Sequence, residues 1–78
     1  MSLYIAAYDI ALDRKRRTIA TILKRHGVRL QESVFELRLE PDDVVELRRE
    51  IGPFLDRSDL FDLYPIDERG NRERYSWM

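Results

Sequence analysis

Cysteine is absent from the 78 residues, which excludes disulfides and thiolate metal sites. A single histidine, His26, excludes a paired-histidine ribonuclease mechanism within one chain. No Ser–His–Asp set, P-loop or glycine-rich phosphate cradle occurs. The aromatic pair of an RNA-recognition sheet motif is missing as well. No apolar run approaches the roughly 20 residues that cross a bilayer. Met1 is followed by Ser2 and a strand-like run with no basic leader region, so no membrane association and a cytoplasmic location are expected. No repeat, linker or low-complexity segment divides the chain, and residues 1–78 read as one domain. A domain this short buries roughly 60–65% of its unfolded surface and is marginal alone. Oligomerisation is one remedy.

The net charge is close to zero, but it is unevenly spread. Residues 1–39 hold eight cations against four carboxylates, and residues 40–78 hold six against eleven. A basic surface for phosphates is therefore compatible with a formal charge of −1. A run such as Arg14-Lys15-Arg16-Arg17 is as readily a solvated helix face as a binding patch.

What is present organises around Gly27–Leu39, where apolar and polar residues alternate with the period of a half-buried strand. Phe35, Leu37 and Leu39 point one way; Val34, Glu36 and Arg38 point the other. The stretch is one long bent strand or, preferred here, a hairpin turning near Glu32. Leu3–Tyr8 is nearly all apolar, as in a central strand, and Asp9 ends it. Asp13 is a candidate N-cap for a helix through His26, with Ile19, Ala20, Ile22, Leu23 and His26 on its apolar stripe. Gly27 is positioned to close that helix in a left-handed conformation. Pro41 opens a second helix with Val44, Leu47 and Ile51 facing inward, and Gly52-Pro53 ends it. Leu60–Ile66 is the last clear strand, with Pro65 suggesting an edge or a strand end. Tyr75-Ser76-Trp77-Met78 is too apolar for a free tail.

The order βαββαβ, with right-handed crossovers, gives an α+β, ferredoxin-like fold. It has a four-stranded antiparallel sheet, two helices on one face, and a C-terminal strand or tail. The opposite sheet face is left bare and must bind something or dimerise. Residues 66–78 are expected to form a strand exchanged with a second copy in a homodimer.

Fold alone does not assign function. His26 sits at a helix end on the core stripe, where a histidine is more often structural than catalytic. Asp9 is a lone carboxylate ending an apolar strand, just before a basic helix. It reads equally as a turn residue or as a hard-metal ligand. Mg²⁺ needs only one or two carboxylates, and a twofold dimer would supply two copies of Asp9.

These residues carry a resemblance. Tyr8-Asp9-Ile10, Arg16-Arg17, Gly27, Arg29-Leu30-Gln31-Glu32-Ser33-Val34-Phe35-Glu36 and Tyr64-Pro65-Ile66 resemble the CRISPR-associated Cas-two family over roughly residues 3–66. The R-x-Q-x-S-V-F-E run is the specific part. The resemblance implies a ferredoxin-like homodimer that bridges Cas-one family integrase subunits on DNA during spacer acquisition. It also implies an Mg²⁺-dependent endonuclease acting on RNA or DNA. Asp9 would be its metal ligand and catalytic residue, with Tyr8 and Ser33 beside it. Arg14, Arg16, Arg17, Arg29 and Phe35 would contact nucleic acid. Two readings stay open: a metal-dependent nuclease, and a non-catalytic nucleic-acid-binding scaffold of the integrase complex. A toxin-like ribonuclease sharing the fold is a weaker third.

Overall fold

The alternation over Gly27–Leu39 folds as a hairpin. In the computed structural model, which describes residues 1–66 and 75–76, β2 runs Gly27–Gln31 and β3 runs Val34–Leu39. Glu32-Ser33 forms the turn, and a register shift between Arg29 and Gln31 leaves Leu30 as the irregular residue. β1 (Ser2–Asp9) pairs antiparallel with β3 on one side and with β4 (Leu60–Ile66) on the other. The sheet order is β2-β3-β1-β4-β5, with β5 a short pairing of Tyr75–Ser76 along β4. Pro65 lies opposite Tyr4 near the end of β4, beyond the residues that pair with β5, where its missing N–H removes no bond on that side. Most of the tail expected to cross to a second chain, residues 67–74 and 77–78, lies outside the described residues.

Both helices lie on one sheet face. α1 spans Asp13–Leu23 and α2 spans Pro41–Ile51. Ala6, Tyr8, Phe35, Leu37, Leu39, Phe61 and Leu63 from the sheet pack against Ile19, Leu23, Leu47 and Ile51 from the helices. Tyr8 lies between two aromatic neighbours, its ring 5.8 Å from Phe61 and 6.4 Å from Phe35. Such pairs add about 0.5–1.5 kcal/mol beyond the area they bury. The helix-free face carries Leu3, Ile5, Ala7, Val34, Asp62, Tyr64 and Ile66, all only half-buried. Pro41 and the bond from the Glu40 N–H to the Asp43 carboxylate, 2.8 Å, start α2 as the sequence suggests. Among the described residues no helix is long and apolar enough to cross a membrane.

The end of α1 differs from expectation. The helix stops at Leu23 rather than His26, because Arg25 N–H and His26 N–H turn to the carbonyls three residues back, at 3.2 and 2.9 Å. Asp13 is the first helical residue, with extended Leu12 in the cap position. Gly27 does not close the helix in a left-handed conformation; it begins β2. Its hydrogen-only side chain serves close approach instead, since a Cβ there would lie 1.9 Å from the Glu36 carbonyl oxygen.

Gly27→Ala is therefore expected to push the hairpin apart and destabilise the protein by about 3 kcal/mol, the upper range of overpacking costs. Denaturant unfolding of both proteins measures this; an unchanged midpoint would show that the strands spread freely.

Candidate active site

β1 ends at the rim of the helix-free face. Asp9 lies opposite Leu60 of β4 and is exposed. Strand parity puts its side chain with Leu3, Ile5 and Ala7, away from the helices. The next residue, Ile10, is buried and anchors the loop to α1. Arg16, from the first turns of α1, bends back over that loop. Its guanidinium donates to the Ile10 carbonyl at 2.8 Å, to the Ala11 carbonyl at 2.7 Å and to the Asp13 carboxylate at 2.9 Å.

The β2–β3 turn closes over the same strand end. The Tyr8 N–H donates to the Ser33 carbonyl at 3.1 Å, and the Tyr8 hydroxyl reaches the Glu32 carbonyl at 3.4 Å. Tyr8, Asp9, Ile10, Arg16, Glu32 and Ser33 together line a groove of about 220 Å³. Of the residues the sequence singles out, it gathers Tyr8, Asp9, Arg16 and Ser33.

A second groove, about 350 Å³, lies on the other side of Arg16 and Glu32. Arg16, Arg17, Lys24 and Arg29 line it, against the carboxylates of Asp13 and Glu32. Asp13 is shared by Arg16 and Arg17, the latter at 3.4 Å. Lys24 and Arg29 have no ion-pair partner among the described residues. Arg29 lies over the Phe35 ring, 5.1 Å from its centroid. Phe35 itself is fully buried and meets the groove only through Arg29. Arg14 is exposed on α1 and lines neither groove.

Two lining residues escape the sequence reading. Lys24 follows Asp13, Arg17 and Thr21 at helical spacing, so the stripe was available as a signal. Glu32 shows only as a turn residue; nothing local says that the turn folds onto Tyr8. Among the described residues no group of three or more His, Asp or Glu is placed to hold a metal. The exposed Asp9 carboxylate in a water-accessible groove does fit an ion that takes one carboxylate from each chain and keeps several waters.

An ion-pair cluster holds the far wall. Lys15 of α1 contacts the Asp59 carboxylate at 2.7 Å and that of Asp56 at 3.1 Å. Asp59 is buried and also accepts the Asp56 N–H at 3.0 Å. It immediately precedes Leu60, the residue opposite Asp9. The cluster thus ties the start of α1 to the start of β4. Hydrogen bonds from Ser58, then from Lys15, hold the Asp56 carboxyl below its usual value of 3.8. The bond to Asp59 raises the Lys15 ammonium above its usual 10.5.

Comparison with known proteins gives a consistent set. A family model described as CRISPR associated protein Cas2 matches residues 1–74. The CRISPR-associated endoribonuclease Cas2 3 of Synechocystis sp. is 37% identical over 67 residues, covering 85% of this chain and 73% of its own length. The CRISPR-associated endonuclease Cas2 2 of Thermus thermophilus is 42% identical over 65 residues, covering 82% and 72%. Among solved structures, a chain of a partial Cas6-RT-Cas1–Cas2 complex superposes with a TM-score of 0.78 at 24% identity, covering 90% of this chain and 83% of that one. At that identity the likeness is one of fold.

The Lys15 cluster has a defined pH signature. The Asp56 contribution is complete above its usual value and is lost as pH falls through the lowered folded value. The Lys15 contribution is complete below its usual value and is lost as pH rises through the raised one. Lys15→Gln is expected to lower the melting temperature by a constant amount between about pH 5 and 9, with the gap to wild type closing at both extremes. A gap independent of pH to both ends would remove these charges from the account.

Proposed function

This chain belongs to the CRISPR-associated Cas2 family, and from that premise we propose that it is a nuclease component of spacer acquisition. It acts as a homodimer that bridges Cas1 integrase subunits on DNA, with Mg²⁺-dependent endonuclease (endoribonuclease) activity. The observation that carries this reading is the meeting of Tyr8, Asp9, Arg16 and Ser33 in one groove that adjoins a basic one. Relatives named as endoribonuclease and endonuclease support it, and the Cas1–Cas2 assembly named for a structural neighbour supports the partner.

The roles follow from the geometry. The helix-free face, with its half-buried Leu3, Ile5, Ala7, Tyr64 and Ile66, is where a second copy would pack. That brings the two Asp9 rims toward one another, so each chain supplies one carboxylate to Mg²⁺. When bound, Mg²⁺ supplies neutralisation of scissile-phosphate charge and activation of water. Arg16, Arg17 and Arg29 hold the flanking phosphodiesters, aided by Lys24. Arg14, further out on α1, extends the positive surface. Ser33 orients the scissile group by hydrogen bonding. Tyr8 acts by holding the Glu32-Ser33 turn over the strand end. In this reading residues 1–78 form one domain, and the tail 66–78 exchanges onto the partner's sheet edge rather than lying along its own β4.

A second reading, a non-catalytic scaffold, draws on the lack of a within-chain carboxylate cluster among the described residues. Asp9→Asn separates the two. Loss of both anionic ligands from the dimer is expected to lower cleavage about 100-fold, roughly 3 kcal/mol of barrier, while duplex binding persists. Cleavage that survives EDTA, or that is equal in the two proteins, defeats the catalytic assignment and leaves the scaffold.

The basic groove has its own test. Arg17→Glu with Lys24→Glu is expected to weaken binding of all sequences alike and to flatten the salt dependence of affinity. A base-sequence-dependent effect in a titration across ionic strength contradicts a backbone grip.

A further inference from the structure

The second groove contains one cation unlike the rest. Arg16 and Arg17 share Asp13, and Arg16 also spends donors on its own loop. Arg29 does neither. It stands on β2 directly opposite Phe35, beside the irregular residue Leu30, and its guanidinium lies over the Phe35 ring. A planar cation at 5.1 Å from a ring centroid is held flat by the ring's negative face. Phe35 is fully buried, so the ring is a floor and not itself a landing surface. Arg29 is exposed and lines the groove, so its other face is open.

We propose that Arg29, laid flat on Phe35, is a stacking platform for one unpaired nucleobase, and that this groove takes a nucleotide of a single-stranded nucleic acid. The base stacks on the open guanidinium face, as bases do on arginine planes in single-strand recognition. Arg17 and Lys24, on the α1 wall of the same groove, meet the adjoining phosphates. The groove volume of about 350 Å³ lies at the small end of ligand clefts, which run about 300–1,000 Å³. A base inside a duplex is already stacked on both faces and has no surface to offer, so the site selects unpaired substrate. Glu32, across the groove, disfavours a second phosphate there and confines the backbone to the α1 side. The proposal rests on the nucleic-acid reading above and names the form of substrate it binds.

The test compares two single strands of equal length and charge, an oligodeoxyadenylate and its fully abasic counterpart, by fluorescence anisotropy. Wild-type protein is expected to bind the base-bearing strand about tenfold more tightly. Arg29→Lys keeps the charge but loses the plane. It is expected to bind both strands at the wild-type abasic level, with the salt slope unchanged and the thermal melt confirming the fold. Equal binding of the two strands by wild type, or discrimination retained in Arg29→Lys, overturns the platform alone. Binding of neither strand overturns the nucleic-acid reading on which it stands.

Discussion

β1 is hydrogen-bonded along both edges, to β3 and to β4, and its pleat assigns each side chain to one of two faces. Ala6 and Tyr8 go to the helices and are buried; Leu3, Ile5, Ala7 and Asp9 go to the open side. A shift of one residue in either ladder would reverse this and carry Asp9 into the core. The register is held by what it buries. Ala6 sits between Phe35 and Leu63 as its cross-strand partners, and Tyr8 between Ser33 and Phe61. The place of the carboxylate is thus a consequence of core packing several residues away.

Much of the fold was legible because its signals are periodic. Phe35, Leu37 and Leu39 alternate, Val44, Leu47 and Ile51 repeat at helical spacing, and Pro41 marks a helix start; all behave accordingly. The end of α1 was not legible. Lys24 and Arg25 are good helix formers, so local propensity favours continuing. What stops the helix is tertiary: the His26 carbonyl is claimed by the Arg38 N–H at 3.0 Å, which commits the chain to the β2–β3 ladder. Gly27 shows a related ambiguity. A glycine after a helix serves a left-handed turn or a close approach equally well, and only the facing Glu36 carbonyl tells which.

At the site, a motif reading names residue types, whereas the grooves depend on where side chains turn. Asp9, Tyr8 and Ser33 converge because the hairpin turn lies over the end of β1, a long-range fact that no local pattern carries. Arg16 and Phe35 illustrate the limit from two directions. A sequence does not distinguish a guanidinium folded onto its own loop from one extended into solvent, nor an aromatic ring that is covered from one that is open. Lys24, by contrast, stood in plain periodic relation to Arg17.

Arg16 forms part of the wall between the two grooves while holding the carbonyls of Ile10 and Ala11. Its removal therefore perturbs two things at once: the charge offered to a backbone on one side, and the shape of the loop behind Asp9 on the other. Effects of Arg16 and Asp9 substitutions should not add, and the shortfall is itself the energetic coupling between the grooves. The same shared wall narrows the substitutions that position can accept, because a replacement must satisfy a loop and a ligand together. Lysine keeps the charge but cannot fork to two carbonyls and a carboxylate, so a conservative exchange here is conservative in name only.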